Sequence, residues 1–144
     1  MKYFTSEWWL KGCEDDTVSD RYQKYYSSIS AQLPVDILTL DKKHTLHDSN
    51  IESIETDLTK NEITITLIGW DQEFNNQIKY ELSFSQVEKF NQTLPVEENG
   101  YGDLGYWEYE IVEDSVEMRM LFATSAEIRI VFNGFKFNYQ VCKA

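Results

Sequence analysis

The 144-residue chain is short of several things at once: it has 2 prolines, 6 glycines, 2 cysteines and 2 histidines, and 13 basic residues stand against 25 acidic ones. So few prolines and glycines exclude a linker-rich or low-complexity chain. The scarcity of Lys and Arg, with a formal charge of −12, argues against nucleic-acid binding, which needs clustered cations on phosphate, and against an anionic membrane surface. No window approaches the roughly 18 uninterrupted apolar residues of a membrane helix. The opening Met1–Trp9 holds no apolar stretch of signal-peptide length, and Cys13 and Cys142 lie far apart in the sequence. Reduced thiols and a cytoplasmic location are therefore expected. What is abundant is apolar and aromatic surface, 42% and 15% of residues, enough to build a core and to exclude wholesale disorder.

Helical signals come first along the chain. Thr5 is placed to cap a short helix, with Phe4 and Trp9 at hydrophobic-staple spacing and Gly12 as its stop. Val18, Tyr22, Tyr25, Ile29 and Leu33 recur at spacings of three and four, one face of a second helix that Pro34 ends. Ile37, Leu38 and Leu40 suggest a short third helix before the polar run Asp41-Lys42-Lys43.

After residue 46 the period falls to two. Apolar residues alternate with polar ones through 63–67, 78–84, 107–111, 116–122, 128–132 and 135–141, with Ile51–Asp57 as a weaker run that needs a bulge to bring Ile51 and Ile54 to one face. Two-residue loops at Glu113-Asp114 and Asn133-Gly134 would pair Tyr109 with Met118 and Phe132 with Phe135, apolar against apolar. A three-residue loop at 124–126 would pair Phe122 with Ile128. The expectation is a single α+β domain over residues 1–144, with two or three N-terminal helices at about 6–40. They cover one face of an antiparallel meander of six or seven strands at about 50–141. The stretch Asn91–Asp103 reads as an exposed loop.

Motifs of catalysis are lacking. There is no G-x-S-x-G elbow, and no base is placed beside either cysteine. Gly100, Gly102 and Gly105 spell G-x-G-x-x-G, but they precede a strand rather than a helix and include Asp103, so no phosphate or cofactor site is expected. His44 and His47, with Asp48 adjacent, lack a third clear metal ligand and read as part of a polar turn. The one unusual feature is charge. Glu97, Glu98, Asp103, Glu108, Glu110, Glu113, Asp114 and Glu117 crowd the stretch between Phe90 and Met118, which holds no Lys or Arg. Glu108 would face Arg119 across the ladder, while Glu110 would face Glu117, a like-charge pair. With Tyr101 and Tyr106 interleaved, this is either a solvated face or a docking surface for a basic protein partner. The docking residues would be Glu97, Glu98, Tyr101, Asp103, Tyr106, Glu108, Glu110 and Glu117.

The opening Met1-Lys2-Tyr3-Phe4-Thr5-Ser6-Glu7-Trp8, the run Leu46-His47-Asp48 before the sheet, and Glu127–Phe132 resemble small uncharacterised bacterial proteins. They are also similar to immunity proteins of polymorphic-toxin systems, which neutralise a toxin by binding it. The resemblance implies a bacterial cytoplasmic binding protein and assigns no functional residue. The expected function is thus a non-enzymatic, acidic protein-binding module of immunity type. The alternatives are a protein that binds a small molecule between helices and sheet, or an enzyme or metal-dependent protein of unidentified activity that uses His44, His47 and Asp48 or the carboxylates.

Overall fold

The computed structural model describes residues 1–94 and 100–142. Three α-helices come first: α1 (Ser6–Leu10), α2 (Thr17–Ile29, continued by one 3₁₀ turn over Ser30–Gln32) and α3 (Val35–Lys43). Thr5 caps α1 by accepting a hydrogen bond from the Trp8 N–H at 3.1 Å, and Gly12 follows with φ +76°. Phe4 packs on Trp8 and Tyr106, not on Trp9, so the expected staple is replaced by an aromatic stack against the sheet. Pro34 stands outside the second helix and opens the third, where its fixed φ suits a helix start.

Eight strands follow: β1 (Asn50–Asp57), β2 (Glu62–Trp70), β3 (Gln77–Ser85), β4 (Lys89–Gln92), β5 (Leu104–Val112), β6 (Ser115–Phe122), β7 (Glu127–Phe132) and β8 (Gly134–Val141). The fold is α+β with antiparallel pairing and N-terminal helices. The strands divide into two four-stranded sheets, ordered β1-β2-β3-β8 and β4-β7-β6-β5, rather than forming one ribbon. The reason lies at Asn133-Gly134. Gly134 does not have the positive φ that a two-residue hairpin turn requires. Instead the chain crosses between sheets there, and Phe135 pairs with Phe84 rather than with Phe132. Both pairings put Phe135 on the core side, so the alternation is satisfied either way.

Elsewhere the registers follow the side-chain pattern. Glu113, at φ +50°, turns β5 into β6 and sets Tyr109 opposite Met118, Glu108 opposite Arg119 and Glu110 opposite Glu117. The β6–β7 loop lies one residue earlier than expected, with the Phe122 N–H donating to the Ala126 carbonyl, so Ile128 faces Met120 instead of Phe122, a shift of two that keeps the same face inward. In β1 a register shift between Ile51 and Ser53 lets both Ile51 and Ile54 reach the core. One cluster takes in Ile65, Leu67, Tyr80, Leu82 and Phe84 of the first sheet, Tyr109, Met118, Ile130 and Phe132 of the second, and Ile37 and Leu40 of α3. Among the described residues, no helix is long and apolar enough to cross a membrane.

β5 is an edge strand, and an edge leaves backbone donors facing away from the sheet. Two of them are met by side chains of α2. The Tyr109 N–H donates to the Tyr22 hydroxyl at 2.8 Å, and the Ile111 N–H donates to the Tyr25 hydroxyl at 3.1 Å. Tyr22 and Tyr25 are three apart on one helix face and their targets are two apart on one strand, so α2 is fixed alongside the edge. Tyr22→Phe keeps the ring but leaves the Tyr109 N–H buried and unpartnered, and is expected to lower unfolding stability by about 1–3 kcal/mol. Denaturant titration measures it; a loss below about 0.5 kcal/mol would mean that the edge finds another acceptor.

Candidate functional site

The acidic stretch was the first candidate site in the sequence, and its members meet different fates. Glu97 and Glu98 lie outside the described residues. Asp103 is exposed and accepts a hydrogen bond from Asn50 at 3.0 Å. Tyr101 packs on Phe122 and donates to Gln92 at 2.6 Å. Tyr106 stacks on Phe4, with Trp8 and Trp9 edge-on to it. Glu108, Glu110 and Glu117 do come together, on the face of the second sheet opposite the core, but not in open water. Glu108 is fully enclosed and accepts from the backbone N–H groups of Lys2, Tyr3 and Phe4 as well as from Arg119 Nε at 2.9 Å. Arg119 also reaches Glu110, at 2.6 Å, and Glu117, and Arg129 pairs with Glu117.

The Glu110–Glu117 opposition is therefore bridged by one guanidinium, whose planar fork suits two carboxylates. Burial works against a charged Glu110, yet the Arg119 bond and charge, with Lys2, hold its carboxyl below the usual range. These groups fasten residues 2–4 across the sheet. The signal in the sequence was Arg119 and Arg129, two cations set among the acids one strand on.

The histidines part company. His44 packs against Tyr80, Phe137 and Tyr139, and burial, then Lys43, lowers its pKa. The His47 ring Nδ1 lies 3.1 Å from the Gly105 carbonyl, and its Nε2 lies 3.5 Å from Asp48.

A second site lies where α2, α3 and residues 4 and 47 meet the edge of β5. It is a cleft of about 680 Å³, within the range that takes small organic molecules. Phe4, Tyr22, Tyr26, Tyr106, Trp107 and Tyr109 give it an aromatic lining, and Ser19, Gln23, Leu38, Lys42, His47 and Gly105 complete it. Gly105 lets the Trp9 ring lie directly on β5: a Cβ there would lie 2.3 Å from it.

Asp41 is the cleft's polar focus. Its carboxylate accepts from the Tyr26 hydroxyl at 2.6 Å and, at 3.4 Å, from the Trp107 indole N–H. Burial pushes the Asp41 carboxyl up to about 6, and those two hydrogen bonds pull the other way. Burial raises the Tyr26 hydroxyl too, as does its bond to Asp41. The Tyr109 hydroxyl is buried and has no hydrogen-bond partner among the described residues. Buried polar groups are nearly always partnered, so an unpartnered hydroxyl in a cleft wall is informative. Asp41, Tyr26 and Trp107 were not singled out as site residues from the sequence. One signal was available: Asp41 stands four residues after Ile37, on the helix face whose other members are apolar.

The family described as "Protein of unknown function (DUF4085)" matches residues 3–132. The chain belongs to that family. The matched span takes in α1–α3, β1–β7 and every residue lining the cleft. Among curated proteins, none matches the chain.

Two outcomes are expected. Glu108→Ala uncovers a buried Arg119 and three backbone donors, and should destabilise the fold by about 3–5 kcal/mol in denaturant titrations. For Asp41 the sign is opposite. A carboxyl whose folded pKa of about 6 exceeds its ordinary 3.8 binds more protons folded than unfolded, so stability falls as pH rises from 3.8 through about 6. Asp41→Asn should flatten that decline and, at pH 8, leave the protein about 1–3 kcal/mol more stable than the parent. Thermal unfolding across pH measures both; a less stable Asn variant at pH 8 would reverse the assignment.

Proposed function

We propose that the chain is a non-catalytic binding protein for a small organic molecule, held in the cleft at the β5 edge. The observation that carries this reading is Asp41, a carboxylate kept among aromatic rings although burial disfavours its charge. Such a group lowers stability, so its presence calls for a gain elsewhere, and ligand binding is the gain that a cleft of this size supplies. The aromatic walls offer broad contact surface, and the side chains that line them are anchored by α2, α3 and β5.

A basic protein partner, the immunity-type reading, is the second proposal. The net charge of −12 favours it through encounter steering. Its weaker support is geometric, because Glu108 and Glu117, two of the carboxylates it would use, are enclosed and already bonded to arginine.

The test is a screen of small-molecule fragments by protein-observed NMR, paired with Gln23→Trp, which fills the mouth of the cleft from an exposed position. Binders should shift the Trp107 indole resonance in the parent protein, and the shift should vanish in the variant. If every binder survives Gln23→Trp, or no fragment moves Trp107, the small-molecule reading fails.

A further inference from the structure

The enclosed carboxylates of this protein divide by their counter-charges. Glu108 and Glu117 each have an arginine within salt-bridge distance, and Glu110 has both Arg119 and Lys2. Asp41 forms no salt bridge among the described residues, although it is half-buried in the cleft wall and Lys42 and Lys43 follow it in sequence. Its hydrogen bonds come from neutral groups, Tyr26 and Trp107. A carboxylate has about four lone-pair positions, so two donors leave it able to accept more.

Position compounds the deficit. Asp41 is in the last turn of α3, where the helix dipole presents its negative end and disfavours a carboxylate. Lys42 lines the same cleft, yet its ammonium is not within salt-bridge distance of Asp41 and the residue is exposed. Near Asp41 stand the rings of Tyr22, Tyr26, Trp107 and Tyr109, and Tyr106 lines the same cleft. Aromatic faces attract cations, the more so when the cation is desolvated. The Tyr109 hydroxyl, buried and unpartnered in the same wall, has oxygen lone pairs to offer a donor. A net charge of −12 raises the local concentration of any small cation.

We propose that the ligand of this cleft is an organic cation, a protonated amine with an apolar or aromatic body, whose ammonium sits on Asp41 while its body lies against the tyrosine and tryptophan rings. This rests on the small-molecule reading above and adds the charge of the ligand to it. The ammonium supplies the counter-charge that Asp41 lacks among the described residues, and the amine's N–H groups fill the open positions on the carboxylate. Lys42 competes for the same charge from the rim, so its removal strengthens cation binding.

The probes are phenethylammonium chloride and 2-phenylethanol, a cation and a neutral alcohol of nearly the same shape, titrated by NMR on the Trp107 indole resonance at pH 8 in 150 mM salt. The cation is expected to bind at least about tenfold more tightly than the alcohol, a difference of about 1.4 kcal/mol. Asp41→Asn, checked for folding by its thermal transition, should reduce that preference to less than about threefold, and Lys42→Gln should increase it. Equal binding of cation and alcohol, or a preference that survives Asp41→Asn, overturns the cation assignment while leaving a small-molecule site in place. No Trp107 response to either probe, together with an empty fragment screen, overturns both.

Discussion

The outward-facing backbone of β5 is the constraint around which the N-terminal half of the chain is arranged. An edge strand in a sheet with a well-formed core must either find donors and acceptors or stand open to another chain. Here hydroxyls of Tyr22 and Tyr25 accept from two of its N–H groups, and the backbone around Ser49 bonds Leu104 at the strand's start. The partners come from two pieces of the chain, so covering the edge also fixes where α2 and the α3–β1 connection lie. A rank of tyrosines cannot close on a strand as tightly as another strand does. The space left between them is the cleft.

The same chain solves the problem of buried negative charge in two opposite ways. On the outer face of the second sheet, two of its three arginines stand among carboxylates, and the acids act as fasteners for residues 2–4. At the β5 edge, Asp41 has hydrogen bonds but, among the described residues, no salt bridge. Removing one member of an ion-paired cluster is severe because its partners are stranded, whereas an unpaired acid is a burden while it remains charged. The contrast marks the first set as structural and the second as the site of the proposed ligand.

Much of this fold was legible in the sequence, because alternation specifies which way a side chain faces. Tyr109, Met118 and Ile130 point inward as their spacing requires, and the irregular spacing of Ile51 and Ile54 marked a real shift in register. What alternation does not specify is the neighbour. Phe135 is equally well placed against Phe132 or Phe84, so the split into two sheets was invisible. β4 escaped notice for want of length, since Lys89–Gln92 offers one apolar residue and no repeat. The acidic residues were correctly set beside one another, but their enclosure depends on a segment a hundred residues upstream. The cleft was hidden for the same reason: Tyr26, Asp41 and Trp107 belong to three elements, and only tertiary packing unites them.

The crossing at Asn133 also has a consequence in time. The last strand of the first sheet is laid against β3, whose residues emerge from the ribosome long before it, while β4–β7 are made in between. Until β8 arrives, β3 has a bare flank, with its backbone donors and acceptors on that side unpaired. Pairings between segments so distant in sequence close slowly, because the intervening loop must be ordered first. The interval before closure is when this chain is most exposed to chaperones and to its own kind.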